Sequence, residues 1–302
     1  IAIAVGPLES VAITGLSVPG RIYTVKGAKG LAKHGASITP RILARLEGYF
    51  GTKYPYEKLD FIAIPEYWPG AMENPGAVTF SDDILLIDPA AASVAQKRTV
   101  AMVTTHELAH MWFGDWVTMV WWDDLWLNES FADWLAMKIT HELFPEYRLD
   151  TYELGGVNQI MLNDARPSTT TVRREVDSGA DIMEDLGLAY EKGRTVLRMT
   201  EAFIGPDAFQ RGVRDYLDRH KWGNAVAEDL FAALSQAAEK NLQPMLASFL
   251  EQPGYPLVKV DVNDKGLLTL SQSRFRNAGA QASDQLWTTP VRLNISDGKN
   301  VQ

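Results

Sequence analysis

Two histidines four residues apart, His106 and His110, form the most chemically suggestive pattern in the chain, within the stretch HELAH. The residues around them, from Ser93 to Gly114, have the pattern of a long helix that the glycine ends. Residues four apart on a helix lie on one face, one turn apart, so both imidazoles can reach the same ion. A His-Glu-x-x-His pattern on a helix is typical of a zinc site that carries its own base.

A catalytic zinc site usually has three protein ligands and one open position, and Glu129 is the candidate for the third. Glu129 lies in LNES, at the start of the next predicted helix, after a short connection through Gly114 and a tryptophan-rich turn. Two helices joined in this way pack as neighbours, so this carboxylate can face the histidine pair. Asp133 follows one turn later and could orient a ligand imidazole through the ring N–H that does not bind metal.

Glu107 suits a general base better than a ligand, because it is adjacent to His106 at the rim of the same helix face. Zinc lowers the pKa of a bound water to about 7, so a carboxylate can accept its proton near neutral pH. The alternative is that both histidines are ordinary surface or core residues, but two of only five histidines fall in this pattern. The other three lack partners at ligand spacing and are interpreted as ordinary residues: His34, His141 and His220.

The elements that precede the histidine motif are predicted from local patterns. The segments IAIAV, VAITGL and RIYTV are short and β-branched and predict strands, and LDFIAIP from Leu59 predicts a buried strand. Thr39 and Pro40 have the character of an N-cap and a first helical residue, so they predict a helix that runs to Phe50. AVTFSDDILLID predicts one or two further strands.

The predicted secondary structure changes twice along the rest of the chain. GAMEN, at Gly70–Asn74, predicts a loop, and residues 93–250 are mostly helical with a break around DARPSTTTV. QPGYP then marks a domain boundary, because strand-like segments of a new β unit follow it. Six tryptophans lie near the histidine motif in the sequence and are expected mostly in the core: Trp112, Trp116, Trp121, Trp122, Trp126 and Trp134.

Composition narrows the class of protein. With 302 residues and 46% hydrophobic residues the chain can build a substantial core, and a net charge of −9 argues against a nucleic-acid binder. The absence of cysteine excludes disulfides and thiolate ligands, so a metal must use His, Asp or Glu. No apolar run approaches the roughly 18–20 residues that span a bilayer, so we expect a soluble chain, cytoplasmic or periplasmic. The chain begins without Met and ends in a turn-like stretch, so we expect neighbouring domains outside it.

Four motifs together resemble the aminopeptidase N-type family of zinc metallopeptidases. They are GAMEN, then HELAH, then Glu129 with eighteen residues between it and His110, then LAYEKG at Leu188–Gly193. The order and the spacings fit throughout, and the resemblance covers about residues 1–255. Several motifs that match together are more specific than any one of them.

The resemblance implies a role for each matching residue. Zinc would be bound by His106, His110 and Glu129, Glu107 would be the general base, and Tyr190 would donate a hydrogen bond to the tetrahedral oxyanion. Glu73 would bind the free α-amine of the substrate. The substrate-binding residues are those of the GAMEN motif: Gly70, Ala71, Met72, Glu73 and Asn74.

Elementary chemistry agrees with these roles. An exopeptidase must measure the distance from the chain terminus to the scissile bond, and a fixed carboxylate such as Glu73 can do so by pairing with the terminal ammonium. The α-amino pKa is about 8, so that ammonium is largely present at neutral pH. The phenol of Tyr190 stays protonated and can stabilise charge that develops in the transition state. Taken alone, Glu73 would be a solvated loop acid and Tyr190 a core tyrosine.

The resemblance also implies the architecture and the partners. We expect an α+β fold, with a thermolysin-like catalytic domain over residues 1–252 in which the zinc helix lies between a mixed-sheet lobe and a helical lobe. Residues 253–302 would form part of a β-sandwich. The partners would be peptides with a free N-terminus, together with neighbouring domains that the family has and this chain lacks.

Some positions depart from the commoner family pattern, and two other functions stay open. The departures are Met111, Asp115, Ser130 and Arg166. At the position of Ser130 the family frequently has Gly. Asp185 could approach the first side-chain pocket and favour Lys or Arg substrates, although a surface salt bridge is the alternative. A thermolysin-like endopeptidase would share the zinc chemistry and would cleave N-blocked peptides. A non-catalytic scaffold of the same fold would purify without metal.

Overall fold

A computed structural model of the chain describes residues 2–183, 186–279, 281 and 283–294. The strands are β1 (Leu8–Ala12), β2 (Gly20–Val25), β3 (Leu59–Ile64), β4 (Ala71–Met72), β5 (Ala77–Ser81), β6 (Val117–Met119), β7 (Gly223–Ala225), β8 (Pro256–Val262) and β9 (Leu268–Arg274). The helices are α1 (Lys33–Phe50), α2 (Asp82–Leu85), α3 (Val94–His110), α4 (Trp126–Leu143), α5 (Leu149–Asp164), α6 (Gly179–Met183), α7 (Gly193–Ile204), α8 (Pro206–His220), α9 (Ala227–Ala238) and α10 (Gln243–Leu250). Short 3₁₀ turns cover Lys29–Ala32, Trp122–Asp124 and Pro145–Tyr147, and a π-helical turn covers Leu188–Lys192. The predicted mixture of a mixed sheet and many helices is confirmed.

The first lobe is built on a five-stranded sheet in the order β1-β2-β3-β5-β4. The three central strands are parallel and the two outer strands run antiparallel to their neighbours. The central strand β3 reads LDFIAI because a parallel strand covered on both faces needs a nearly continuous apolar run. The GAMEN motif, which was predicted to be a loop, contains part of the sheet. Its Ala71–Met72 segment is the edge strand β4, in which Ala71 pairs with Phe80 and Met72 with Thr79.

The start of α1 differs from its prediction. The helix begins at Lys33, so Thr39 lies inside it and its hydroxyl donates to the Gly35 carbonyl oxygen at 2.7 Å instead of capping the helix. The reason is tertiary: Gly35 packs against side chains of the sheet lobe, where a Cβ would lie 3.0 Å from Leu85. Burial of these roughly two extra turns outweighs the preference of Pro40 for the first helical position.

One predicted strand in this lobe is also wrong, and AVTFSDDILLID forms one of the one or two strands expected, β5. Residues 2–5 of IAIAV form no strand, and they remain largely exposed. The stretch after β5 forms α2, where the acidic pair Asp82 and Asp83 begins a short helix. Acidic residues in the first turn favour a helix because they interact with its positive end.

The second lobe is helical, and α3 lies between it and the sheet. Helix α3 is capped by Ser93, whose hydroxyl accepts from the Gln96 N–H while the Gln96 side chain accepts from the Ser93 N–H. It contacts α1, α2 and β4 of the first lobe and α4 of the second. The core between them is aromatic, and the rings of Phe113 and Phe131 stack with centroids 4.0 Å apart.

Four of the six tryptophans near the motif are buried as predicted: Trp112, Trp116, Trp126 and Trp134. Trp121 and Trp122 are exceptions, with 55% and 41% of their surface exposed. Among the described residues, none of the helices has both the length and the apolar character required to cross a membrane.

The last described element is an antiparallel hairpin of β8 and β9 after the QPGYP turn. One face of the hairpin is apolar and uncovered, because register places Val260 opposite Leu270 and Val262 opposite Leu268. Residues 283–294 are described without a strand, and residues 295–302 lie outside the described part of the chain. The domain boundary and the β-sandwich remain predictions.

A buried ion pair in the helical lobe contacts the QPGYP turn that leads into the hairpin. The Lys192 ammonium lies 2.9 Å from Asp164 Oδ2 and donates to the carbonyl oxygens of Gln252 and Gly254 at 3.2 and 3.0 Å. Asp164 Oδ1 also accepts from the Gly254 N–H at 2.8 Å. Burial lowers the pKa of Lys192, and the Asp164 carboxylate acts in the opposite direction.

We expect Asp164→Ala to lower the free energy of unfolding by about 3–5 kcal/mol, because it leaves a buried ammonium without its counter-charge. Urea denaturation would measure the effect. Asp218→Ala is a matched control, since Asp218 pairs with Lys221 at 2.6 Å on the surface and should contribute less than about 1 kcal/mol. Equal losses in the two variants would contradict the structural role of the buried pair.

Candidate metal centre

Three ligand atoms converge where the end of α3 meets the start of α4. His110 Nε2 lies 3.0 Å from His106 Nε2, and Glu129 Oε2 lies 3.3 and 3.4 Å from these two nitrogens. Ligand atoms about 2.1 Å from a tetrahedral zinc ion lie about 3.4 Å from one another. Glu129 Oε2 is buried and has no hydrogen-bond partner among the described residues. Buried polar atoms normally have a partner, and a bound metal ion would supply one here. The three residues therefore fit a zinc ion.

The hydrogen bonds of His110 select the nitrogen that faces this point. Its Nδ1 lies 3.0 Å from the Phe113 carbonyl oxygen, and a carbonyl can only accept, so Nδ1 carries the proton. Nε2 is then the nitrogen that faces the other two ligand atoms, and it binds a metal after losing its proton. Gly114 makes this contact possible, because it has a φ of +130° and a Cβ there would lie 3.3 Å from His110 Nδ1.

Asp133 lies beside the other histidine. Its Oδ1 is 3.6 Å from His106 Nδ1, and its Oδ2 accepts from the Arg194 guanidinium at 2.8 Å. Arg194 is itself buried, so it fixes the direction of the carboxylate. Arg194 was missed by the sequence reasoning because its spacing from Asp133 reflects only tertiary packing. Its position directly after LAYEKG was the one available signal.

The charges around the centre explain the protonation of its ligands. Burial alone would raise the pKa of Glu129, but the two histidines hold it well below its usual range, so the carboxylate is ionised. Burial alone would lower the pKa of His110, but the carboxylates of Glu73 and Glu129 raise it to about 9. A metal ion must therefore displace a proton when it binds, and its affinity should increase with pH.

Glu107 occupies the position of a base next to the ligands. It is only 5% exposed, and its Oε2 is buried without a hydrogen-bond partner among the described residues. Burial raises the pKa of Glu107 to about 7, although the two histidines act against this shift. A carboxyl group with a pKa near neutrality can both accept and return a proton at the centre.

Tyr190 is brought to the centre by the π-helical turn. Its ring lies nearly parallel to the His106 ring, with centroids 5.9 Å apart and an interplanar angle of 12°. Burial raises the pKa of the Tyr190 phenol well above its usual value, and the Glu129 carboxylate adds to this shift. The phenol therefore keeps its proton and can donate a hydrogen bond.

The GAMEN motif reaches the centre from the edge of the sheet. Gly70 has a φ of +88°, and its carbonyl oxygen accepts from the Ser81 N–H at 2.6 Å. The Asn74 side chain donates to the Thr79 hydroxyl at 3.3 Å, and Met72 is exposed. Glu73 is half-buried, and its charge raises the pKa values of three residues at the centre: Glu107, His110 and Tyr190.

An open cavity of about 290 Å³ lies beside His106. Its polar wall includes His106, Glu107 and Tyr190, and the backbone of Gly70 and Ala71 borders it. Its remaining wall is mostly apolar and is made by Ile84, Met102, Val103 and Ala136, which no motif indicated. Asp185, the residue proposed for substrate selection, lies outside the described residues.

Comparisons with known proteins agree with this site. The sequence matches the family described as Peptidase family M1 domain over residues 35–249. It is 36% identical over 304 aligned residues to Aminopeptidase 2 of Candida albicans, covering 100% of this chain and 33% of the relative. It is 37% identical over 295 residues to Aminopeptidase M1 of Arabidopsis thaliana, covering 97% and 33%. For Probable aminopeptidase 2 of Sulfurisphaera tokodaii the identity is 38% over 294 residues, covering 97% and 36%.

The chain spans about a third of the length of these curated relatives. The family match covers most of the chain, including α3, α4 and the π-helical turn that together form the centre. The family match covers the same residues whose ligand atoms converge at the centre, so the two findings agree. The chain belongs to peptidase family M1, the family of the aminopeptidase N-like metallopeptidases.

Proposed function

We propose that this chain is the catalytic part of a zinc-dependent aminopeptidase, which hydrolyses the first peptide bond of peptides with a free N-terminus. The relatives named above are aminopeptidases, and the chain has every residue that the resemblance assigns to the reaction. The observation that carries the proposal is the position of Glu73. It follows directly on the Gly70–Met72 segment of the motif, whose Gly70 and Ala71 border the same cavity as His106, Glu107 and Tyr190. Its charge also raises the pKa values of Glu107, His110 and Tyr190.

The metal would be held by His106 Nε2, His110 Nε2 and Glu129 Oε2. When bound, zinc supplies Lewis-acid activation of water and of the scissile carbonyl. Asp133 would orient the His106 ring, and Arg194 would hold Asp133 in place, a chain of contacts of the kind that fixes metal-binding imidazoles.

The chain's own groups would move the protons. Glu107 would accept a proton from the attacking water and then donate it to the nitrogen of the leaving amine. The Tyr190 O–H would donate a hydrogen bond to the carbonyl oxygen as negative charge develops on it in the transition state. Because the site is largely buried, both interactions are stronger than they would be in water.

Substrate binding would be set by the GAMEN edge strand. The Glu73 carboxylate would pair with the terminal ammonium, and the backbone of Gly70 and Ala71 would bind the first residue. Met72 and Asn74 complete the motif, and Asn74 is held by its hydrogen bond to Thr79. A substrate without a free amine loses the ion pair and buries the Glu73 charge without a partner.

The finer architecture is proposed on the same basis. Residues 1–252 would be a thermolysin-like catalytic domain and residues 253–302 part of a β-sandwich. The uncovered apolar face of the β8–β9 hairpin supports the second assignment, because such a face is normally packed against another sheet. The relatives are about three times longer than this chain, which supports further domains in the whole protein.

The proposed function is tested with a leucyl amide reporter and its N-acetylated twin, using protein whose zinc content has been measured. We expect turnover of the free-amine substrate alone. Turnover of the blocked substrate at a similar rate would instead indicate an endopeptidase. Binding of zinc without turnover of either substrate would reject the proposal for this chain.

We expect Glu73→Gln to reduce kcat/KM for the leucyl amide about 10- to 100-fold, because an ion-paired hydrogen bond contributes about 1.5–3 kcal/mol. Steady-state kinetics on both substrates would measure the change. Glu66→Gln, at an exposed position four residues before the motif, is the control and should leave kcat/KM unchanged. A substitution at Glu73 that leaves the preference for a free amine intact would contradict its measuring role.

A further inference from the structure

Ser130 makes a direct connection between the two halves of the candidate site. It follows Glu129 on α4, is completely buried, and its hydroxyl donates to the Ala189 carbonyl oxygen at 2.5 Å. Ala189 immediately precedes Tyr190. One hydrogen bond therefore links the neighbour of the candidate ligand Glu129 to the neighbour of Tyr190, although the two bonded residues are 59 positions apart in the sequence.

The backbone around Tyr190 explains why this carbonyl is available. In an α-helix the N–H of residue 193 would donate to the carbonyl of residue 189. In the π-helical turn the Gly193 N–H donates instead to the Leu188 and Tyr190 carbonyl oxygens. The Ala189 oxygen does not receive this N–H, and the Ser130 hydroxyl donates to it.

The packing at this point leaves no room for a side chain at residue 193. A Cβ added to Gly193 would lie 1.8 Å from Ser130 Oγ and 2.9 Å from Ser130 Cβ. Gly193 has an ordinary helical φ of −59°, so its glycine is required by space and not by conformation. The far end of the turn is held separately, because Lys192 is paired with Asp164.

We propose that Ser130 is a positioning residue, which holds the π-helical turn in the register that directs Tyr190 at the metal centre. The proposal rests on the proposed function, in which Tyr190 stabilises the oxyanion. A π-helical turn contains one residue more than the α-helical turn it replaces, and π-helical turns occur often at functional sites. If the turn relaxed to α-helix, the register would change by one residue, or about 100° around the axis. The phenol would then leave its place over His106.

The main test is a double-mutant cycle between Ser130 and Tyr190. We expect Ser130→Ala to lower kcat about 10- to 100-fold, because a displacement of about 1 Å at a catalytic group can cost about 100-fold. KM and zinc content should stay within about twofold. In a Tyr190→Phe background the same substitution should have almost no further effect on kcat, since residues that act through one another are not additive. Additive losses in the cycle would overturn the proposal.

Two further variants separate the hydrogen bond from packing. Thr200→Val removes a similar buried hydroxyl, which donates to the Val196 carbonyl at 2.8 Å on α7, and should leave kcat unchanged. The pair Ser130→Gly with Gly193→Ala replaces the volume of the hydroxyl by a methyl group without the hydrogen bond. It should show the same loss of kcat as Ser130→Ala. Wild-type kcat in the paired variant would overturn the proposal.

A measurement without turnover keeps this inference separate from the proposed function. Hydrogen–deuterium exchange of zinc-loaded protein should be faster in Ser130→Ala for the peptide that contains residues 188–193, and unchanged in α8. If wild type hydrolyses no peptide but this exchange is faster, the proposed function fails while the restraint on the turn stands. Unchanged exchange in the turn would overturn the role of Ser130 whatever the activity.

Discussion

Glu107→Gln is expected to reduce kcat about 10²- to 10⁴-fold while the protein still folds and binds zinc. The amide has the shape of the carboxylate but cannot accept the proton that the reaction must remove from water. Glu107 is well placed for this step because its Oε2 is buried beside the metal ligands and has no hydrogen-bond partner among the described residues. Steady-state kinetics and metal analysis of the same sample would measure the two expectations together.

The control for Glu107→Gln is Glu57→Gln, which makes the same chemical change at an exposed position of the sheet lobe. It should leave kcat and zinc content unchanged. A Glu107→Gln protein that retains full zinc and near wild-type kcat would show that another group is the base. A protein that loses its zinc would instead show that Glu107 supports the metal site.

Glu129→Gln is expected to weaken zinc binding by more than about 100-fold, and activity at limiting zinc should fall in proportion. The substitution removes the charge from a ligand oxygen that lies 3.3–3.4 Å from both histidine nitrogens. Loss of an outer partner of a ligand costs about 10- to 100-fold in affinity, so loss of a ligand should cost more. Competition with a chelator of known affinity would measure the change.

Asp133→Asn is the graded comparison for Glu129→Gln, because Asp133 contacts His106 without being placed among the three convergent ligand atoms. We expect its zinc affinity to fall only about 10- to 100-fold. Wild-type protein should also melt at a higher temperature with zinc than with chelator, since a ligand of the folded state stabilises it by about 4 kcal/mol at 1,000 times Kd. A larger loss of affinity in Asp133→Asn than in Glu129→Gln would contradict the ligand set.

The parts of the site that depend on local spacing could be predicted from the sequence. His106 and His110 are one helical turn apart wherever that helix lies, and Glu129 follows at the start of the adjacent helix. The start of α1 could not be predicted in this way, because Thr39 and Pro40 carry a strong local signal that tertiary burial overrides. Local propensity is a weak guide where packing against a sheet favours a longer helix.

Contacts between segments that are far apart in the sequence could not be predicted either. The pairing of Arg194 with Asp133, and of Ser130 with Ala189, joins residues about 60 positions apart, and no spacing rule relates them. The edge strand β4 was missed because Ala71–Met72 is only two residues long, too short for an alternating pattern. The role proposed for Glu73 could be anticipated only through the family resemblance.

The arrangement of the candidate ligands on adjacent helices bears on the order in which the parts of the site would form. From His106 to Glu129 the sequence separation is 23 residues, so the α3–α4 hairpin contains the whole ligand set. Closing so short a segment costs little chain entropy, and local contacts form early in folding. Glu73 and Tyr190 arrive from the sheet edge and from a later turn, which require the complete domain. We therefore expect a nascent chain to capture zinc before it can recognise a peptide, so that incomplete chains would hold the metal without hydrolysing their neighbours.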